Sequence, residues 1–439
     1  MSRILIGNAY NEHLVSDHDT ISAEERPTAG NIALRLLWLT EVNDVVIVPQ
    51  APDPQFVRYV LSLKGLAPDA VSVLVPPPGR FGMDVLTRER LLDETFLRDV
   101  AAVAEQRGVD TVLPYCFDST IARFARRLDL AAGTPGFRFL EAGGSEMLNS
   151  KAAFRTLASG VGAALVDGVT TASREHAESF IGEVLGRGAP VIVKQDFHQG
   201  GFGNDILTPR GDVEPIGAPR AVLLVDEDEI ARHLDRYWAA YTGRGAHRVV
   251  IEEYIPDSLP LGAEVNITED VITVHHVGEM RMAPIYDGMA IPGSVATRAQ
   301  QSAYVEAMVK LSAPIQAMGY RGVINIDGIL TPGGEVFLSE FNGRMGGTTH
   351  LHWIGESFLG ADYQSHRLLV TRNHWHVPSF AEALDALGAA GLSFDPQTGR
   401  GVIIACDHVR QSGAVEYCAV AESAEDAALI EKKLTELFA

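Results

Sequence analysis

Three short blocks of this 439-residue chain combine residue types that can handle phosphate, a divalent cation and a carboxylate. The last of them reads Asn325-Ile326-Asp327-Gly328-Ile329, then Leu338-Ser339-Glu340-Phe341-Asn342-Gly343-Arg344. Residues i and i+2 of a strand point to one face, so Glu340 and Asn342 share a face and Arg344 stands just past the strand end. Asp327 lies 13 residues before Glu340, across a turn at Thr331-Pro332-Gly333-Gly334. Hairpin pairing therefore predicts Asp327 beside Glu340 and Asn342. Two carboxylates and an amide oxygen make a hard, oxygen-only set suited to Mg²⁺, and Arg344 can reach an anionic group being made or broken. A hairpin with a polar solvent face is the plainer reading, but it fits poorly with acids set inside otherwise apolar strands.

The earlier blocks are weaker alone. In Val191-Ile192-Val193-Lys194, an apolar strand ends on a lysine, and Gly200, Gly201 and Gly203 follow within nine residues. Glycines let backbone N–H groups wrap an oligophosphate, and a nearby ammonium offsets its charge. The spacing does not fit a Walker loop, and a glycine-rich hairpin turn explains the run as well. Lys194 is harder to dismiss, because a lysine in an apolar run is costly to bury without an anionic partner. In Val249-Val250-Ile251-Glu252-Glu253-Tyr254-Ile255, a strand runs into two acids. That suits a linker reading an adenine edge, or simply a strand ending in solvated acids.

The elements needed to position these blocks are legible. Runs at 4–6, 45–48, 71–75 and 111–113 read as short buried strands, alternating with helical patterns at 28–39, at 93–107 and after Tyr115. This alternation predicts a parallel, doubly wound α/β layer. Asp118 and Ser119 read as a helix cap. A helix near 150–159, strands at 190–194 and 249–255, and a turn-rich surface excursion at 209–221 follow. From Glu264 the chain turns β-rich (264–268, 271–277, 322–330, 335–341), and it closes with strands at 401–407 and 414–420 and a helix capped by Ser423 and Asp426.

The three blocks, in this order, resemble the ATP-grasp superfamily, and residues 1–135 resemble its pre-ATP-grasp domain. The expected fold is α/β, becoming α+β in the C-terminal half: an ATP-grasp fold preceded by a Rossmann-like pre-ATP-grasp domain. Expected divisions are 1–140, a nucleotide-binding part at 141–255, and a metal-binding, catalytic part with its C-terminal extension at 256–439. The resemblance covers 140–355 best and the final 80 residues weakly. It implies ATP and Mg²⁺, with Lys151 (43 residues before Lys194) and Lys194 on the phosphates and Gly200, Gly201 and Gly203 in the covering loop. It likewise implies Glu252, Glu253 and Ile255 for adenine, Glu264 near the ribose, and Asp327, Glu340 and Asn342 as metal ligands. Some amide-forming relatives place an arginine where Asn325 stands, which leaves oxyanion stabilisation to Arg344, helped by Arg281 or Arg298. The implied activity is ADP-forming carboxylate–amine ligation through an acyl phosphate. The segments GEMRMAPIYDG and EFNGRMGGTTH most resemble peptide ligases that join an N-amidino amino acid to a peptide N-terminus in natural-product biosynthesis. A nucleotide-binding regulator without turnover, or a carboxylase or kinase-like enzyme, are the rival readings.

Composition narrows the partners. With 36 Lys+Arg against 57 Asp+Glu, the net charge of −21 repels nucleic acid and anionic membranes, so a small acid plus an amine or peptide is the expected substrate pair. Three cysteines without a C-x-x-C pair suggest reduced thiols, and neither a signal peptide nor a long apolar span is evident. A cytoplasmic protein is expected, with a homodimer as the ordinary oligomeric expectation. His350 and His352 lack a third zinc ligand and read as structural or substrate-lining.

Overall fold

The computed structural model describes residues 2–11, 14, 21–23 and 25–438. Three sheets organise it. The first is parallel: β1 (Ser2–Ile6), β2 (Val45–Ile47), β3 (Ser72–Leu74) and β4 (Val109–Pro114), in the order β3-β2-β1-β4. Both of its faces are covered, Leu5 and Val46 joining one core and Ile4, Ile6, Val45 and Ile47 the other. The helix Glu94–Arg107 starts where the Asp93 carboxylate accepts from Thr95 and Phe96 N–H, and ends at Gly108 with φ +65°. Asp118 caps the helix Ser119–Arg127 by accepting from Ile121 N–H. The single helix expected over 28–39 is instead a helix Glu25–Asn31 running into a 3₁₀ segment Ile32–Leu39. Everything in that segment except Ile32 is buried, including Arg35, so packing on all sides rather than an amphipathic stripe sets its path.

The second sheet holds β5 (Gly168–Thr171), β6 (Val191–Gln195), β7 (Asn204–Thr208), β8 (Ala221–Leu223) and β9 (Val249–Glu253), in the order β5-β9-β6-β7-β8. Strand alternation divides its faces. Val191, Val193, Val249 and Ile251 join the core under helices Arg174–Gly186 and Glu227–Tyr241, which leaves Ile192, Lys194 and Glu252 on the opposite face. The 209–221 stretch is not merely a surface excursion, since Ile216 and Gly217 line the cleft described below and Gly217 N–H donates to Pro284 O.

The third sheet has eight strands: β10 (Leu259–Ile267), β11 (Ile272–Met282), β12 (Tyr286–Ile291), β13 (Gly322–Leu330), β14 (Val336–Asn342), β15 (Leu368–His376), β16 (Gly401–His408) and β17 (Ala414–Ala421). Their order is β14-β13-β10-β11-β12-β15-β17-β16. Helix Arg298–Ala317 buries Tyr304, Met308, Leu311 and Ile315 against β10 and β13. The C-terminal residues are integral to this sheet: β16 and β17 are buried along their whole length, and Trp38 of the 3₁₀ segment donates from Nε1 to Ala405 O at 2.7 Å. N-terminal and C-terminal residues thus share one core. Among the described residues no helix is long and apolar enough to cross a membrane.

Candidate functional site

All three blocks converge on one cleft of about 760 Å³ between the second and third sheets, closed at its far end by the N-terminal layer. The β13–β14 hairpin pairs Asp327 with Glu340 and Asn325 with Asn342. Gly328 then pairs with Leu338, so Ser339 is an extra residue in β14, a bulge that lets Ser339 and Glu340 both line the cleft. Asn342 Nδ2 lies 3.4 Å from Asp327 Oδ2, and Arg344 Nη2 donates to Asn342 Oδ1 at 3.0 Å. The amide of Asn325 donates to Arg344 O at 3.0 Å, which fixes the backbone that aims this arginine. Asn325 therefore positions Arg344 from the place where the resemblance offers an arginine.

Lys151 opens helix Lys151–Gly160, where Ser150 caps by accepting from Ala153 N–H. Its Nζ stands 3.2 Å from Glu340 Oε2 and donates to His198 O at 3.0 Å. Lys194 Nζ is 2.5 Å from Glu252 Oε2 and donates to Ser339 Oγ at 3.1 Å. The two ammonium groups thus reach successive residues of β14 from two different elements. Arg155 also pairs with Glu252. Each of these buried charges has an opposite partner, as burial demands.

The charges around the hairpin are uneven. Burial, and then the Glu340 charge, push the Asp327 pKa well above the ordinary carboxylate value. Burial also works against ionising Glu340, but Lys151, Lys194 and Arg344 outweigh it and hold its pKa below the usual value. Two carboxyl groups facing one another thus disfavour a second negative charge, a strain that a divalent cation would relieve. With the Asn342 amide turned so that Oδ1 replaces Nδ2 on the Asp327 side, they would form an oxygen-only donor set that fits Mg²⁺.

The loop between β6 and β7 carries the glycines. Gly200 and Gly201 take φ values of +64° and +88°, and both line the cleft. A Cβ on Gly201 would come within 2.8 Å of Gly217 O. Gly203 sits on the hairpin side, where a Cβ would clash with His198. Glu252, Glu253 and Ile255 all line the cleft, and the Glu253 carboxylate also lies 3.3 Å from Arg187 Nη2.

Three expected residues lie elsewhere. Glu264 is wholly buried outside the cleft, bound to His275 Nδ1 at 3.0 Å and to the Thr349 hydroxyl, so its neighbours Gly262 and Ala263 line the cleft instead. Arg281 points away on β11, pairing with Glu431 at 2.6 Å and donating to Thr371 O, while Met280 and Met282 face the cleft. Arg298 is exposed at the first position of helix Arg298–Ala317. His350 and His352 are buried: His350 Nε2 lies 3.0 Å from Glu416 Oε1, and His352 stacks on His275 at 4.2 Å between centroids.

The far end of the cleft was not read from the sequence. Tyr10, Thr28, Ala29, Ile32, Arg35 and Tyr115 come from the N-terminal layer, Asn373, His374 and His408 from the C-terminal strands, and Ser412 from the helical turn between β16 and β17. Tyr115 lies under Arg344, whose guanidinium carbon is 5.9 Å from the ring centroid.

The fold is of the ATP-grasp kind, with a pre-ATP-grasp domain ahead of it. The Pre ATP-grasp domain family matches residues 33–130, and the PGM1 C-terminal domain family matches residues 382–434. Among solved structures, the chain is similar to the biotin carboxylase domain of Hydrogenobacter thermophilus 2-oxoglutarate carboxylase, described in complex with MgADP, ADP and bicarbonate, with TM-score 0.60 and 14% identity over 99% of this chain and 89% of that one. It is similar to N5-carboxyaminoimidazole synthetase from Staphylococcus aureus complexed with ADP, with TM-score 0.57 and 14% identity over 100% and 97% of the two chains. The N5-carboxyaminoimidazole ribonucleotide synthetase of Thermus thermophilus gives TM-score 0.58 and 16% identity over 100% and 98%. No curated protein sequence matches.

Proposed function

We propose that this protein is an ADP-forming, ATP-dependent carboxylate–amine ligase. The observation that carries the reading is the convergence of Asp327, Glu340, Asn342 and Arg344 with Lys151 and Lys194 on a single cleft. The ADP and MgADP complexes among the similar structures support a nucleotide at the Lys194–Glu252 end.

The chemistry follows from charge. A carboxylate is a poor electrophile, and a phosphoryl group transferred to it gives a mixed anhydride that an amine attacks, leaving phosphate and an amide. Lys151 and Lys194 hold phosphate oxygens, and Glu252, Glu253 and the backbone near Ile255 receive the adenine. Asp327, Glu340 and Asn342 would hold Mg²⁺, which neutralises charge on the transferring group. Arg344 binds the acid's carboxylate and then steadies the oxyanion formed on amine attack. Loop 196–203 excludes water while the acyl phosphate persists.

The finer reading is a peptide ligase that joins an N-amidino amino acid to a peptide N-terminus, on the sequence resemblance to the peptide ligase of pheganomycin biosynthesis. Residues 382–434 match the PGM1 C-terminal domain family and supply His408 and Ser412 to the cleft, whose roominess favours a substrate larger than bicarbonate. ADP release measured with and without acids and amines tests both levels. Amine-dependent release supports ligation, acid-dependent release without amine indicates a kinase-like reaction, and tight ATP binding without turnover indicates a regulator. Mass spectrometry of the products then separates peptides from simple amides.

A further inference from the structure

Beyond the nucleotide and metal residues, the cleft holds one more permanent cation. Arg35 is the one lysine or arginine among the described residues lining the far end, which is otherwise built of tyrosines, small apolar groups and neutral polar groups around a single acid, Glu25. The residue is 7% exposed, and its mounting crosses the whole chain. Nε donates to Glu416 Oε2 at 2.8 Å, and Nη2 donates to Asn373 Oδ1 at 3.1 Å. The Glu416 carboxylate is fixed from its other oxygen by His350 Nε2 at 3.0 Å. A guanidinium has five N–H donors in a rigid fork. Nη1 of Arg35 has no acceptor among the described residues.

This is an expensive way to hold a side chain if nothing binds to it. A buried ion pair is often no better for stability than apolar packing of the same volume. The fork rests on Glu416 and Asn373 through Nε and Nη2, and Arg35 lines the cleft with Nη1 still to be paired, an arrangement that would suit a carboxylate taken up by the guanidinium. The neighbouring His408 does not compete for that role. Burial, with Arg35 adding to it, pushes His408 down to about 3, so its ring is neutral and can only donate or accept a hydrogen bond.

The site is close to the proposed reaction centre. Tyr115 lies under Arg344, and Tyr115, Tyr286, Arg35 and Asp327 all line the same cleft. An anion on Arg35 would therefore share one cleft with Arg344 and with the tyrosines Tyr115 and Tyr286.

We infer that Arg35 anchors a second, non-reacting carboxylate of the substrate, so that the amine partner is an amino acid or short peptide with a free C-terminal carboxylate. This rests on the ligase reading above, and it narrows the substrate class to carboxylate-bearing amines. The reacting carboxylate belongs to Arg344, and the spectator carboxylate belongs to Arg35.

The test uses the full chain with ATP and Mg²⁺ and a panel of dipeptides, each supplied as the free acid and as its C-terminal amide, with mono- and dicarboxylic acids as donors. The expected result is ADP release that depends on free-acid dipeptides, with amides raising KM about 10–100-fold while kcat changes little. Arg35→Lys keeps a charge opposite Glu416 but loses the fork, and it should erase the discrimination between acid and amide. Acids and amides served equally well, with Arg35→Lys behaving as the natural protein, would overturn the inference. A preference set instead by a second carboxylate on the donor acid, lost in Arg35→Lys, would retain the anchor and move it to the other substrate. If no amine stimulates ADP release, the ligase reading fails, and calorimetry of the same dipeptides with ADP and Mg²⁺ still decides about Arg35. Free-acid binding abolished by Arg35→Lys supports the anchor, and no binding, or binding indifferent to the carboxylate, excludes it.

Discussion

Lys151 Nζ stands 3.2 Å from Glu340 Oε2, so a proposed phosphate ligand and a proposed metal ligand are in contact before any nucleotide arrives. Lys194 is similarly engaged by Glu252. These pairs hold the ammonium groups in place without stranding a buried charge. A triphosphate with its cation can then exchange partners, lysine to phosphate and carboxylate to metal, with little rearrangement of the protein.

Replacing Lys151 with Met follows from that exchange. A hydrogen bond to a charged group contributes about 1.5–3 kcal/mol, so ATP affinity should fall roughly 10–100-fold. Removing the ammonium also removes the largest influence that keeps Glu340 ionised against its burial. Titration calorimetry with ATP and Mg²⁺ checks this, and undiminished affinity would take Lys151 out of the phosphate site.

The carboxylate pair makes a different prediction about stability and activity. Asp327 is already disposed to carry a proton because of burial and Glu340. Asp327→Asn should therefore leave the melting temperature equal or higher, since a neutral amide replaces a disfavoured charge. Mg²⁺-dependent ADP release should nonetheless drop by roughly 10²-fold or more, because a cation on a transferring phosphoryl group lowers the barrier by several kcal/mol. A variant that is both stable and fully active would show that the cation is held elsewhere.

Arg344 should separate chemistry from binding. Its Nη2 touches Asn342, its Nη1 donates to Met345 O, and its backbone is held by Asn325. Arg344→Met should cut turnover by roughly 10²–10³-fold, the cost of one oxyanion donor, with ATP affinity nearly unchanged. Asn325→Ala frees the backbone that aims the guanidinium and should lower turnover less. Rapid measurement of ADP at saturating ATP distinguishes them, and equal losses would assign Asn325 a direct role.

Much of this site was legible because strand alternation and turn chemistry act over short sequence distances. The β13–β14 hairpin follows from two apolar runs around Thr331–Gly334, and with it the meeting of Asp327, Glu340 and Asn342. The same period of two, applied to β11, excludes Arg281 from the cleft once Met280 and Met282 are seen to face it. Glu264 failed for a different reason: it pairs with Asn325 in an unbroken stretch of β10, but its carboxylate is taken up by His275 and by the Thr349 hydroxyl, the latter 85 residues away in sequence. The path of 32–39 and the mounting of Arg35 were out of reach, because the partner that fixes Arg35 is Glu416, 381 residues later. No local pattern encodes a contact at that separation. The place of the last 80 residues in the main sheet is likewise set by pairing of β15 with β12, which no neighbouring residue announces.

Acid should destabilise the protein well before its carboxylates titrate. Burial pushes His276 and His352 down to about 4, and His408 down to about 3, from the usual 6.5. The unfolded chain takes up protons on these rings below about pH 6.5, whereas the folded one stays neutral until about pH 4 or 3. Between those limits the unfolded state binds more protons, so stability falls as pH falls, by at most about 3 kcal/mol for His276 or His352 and about 5 kcal/mol for His408. Glu416 adds a second, lower window. Burial disfavours its charge, yet Arg35 and His350 bring it down to about 2, so its contribution is lost from about pH 4.5 downward. Denaturant melts from pH 7 to pH 5 should show a steady loss of stability, shallower in His276→Gln, which removes one such ring. A flat profile over that range would mean that these histidines are already charged in the folded chain, and that the apolar packing around the His275–His352 stack does not exclude the proton.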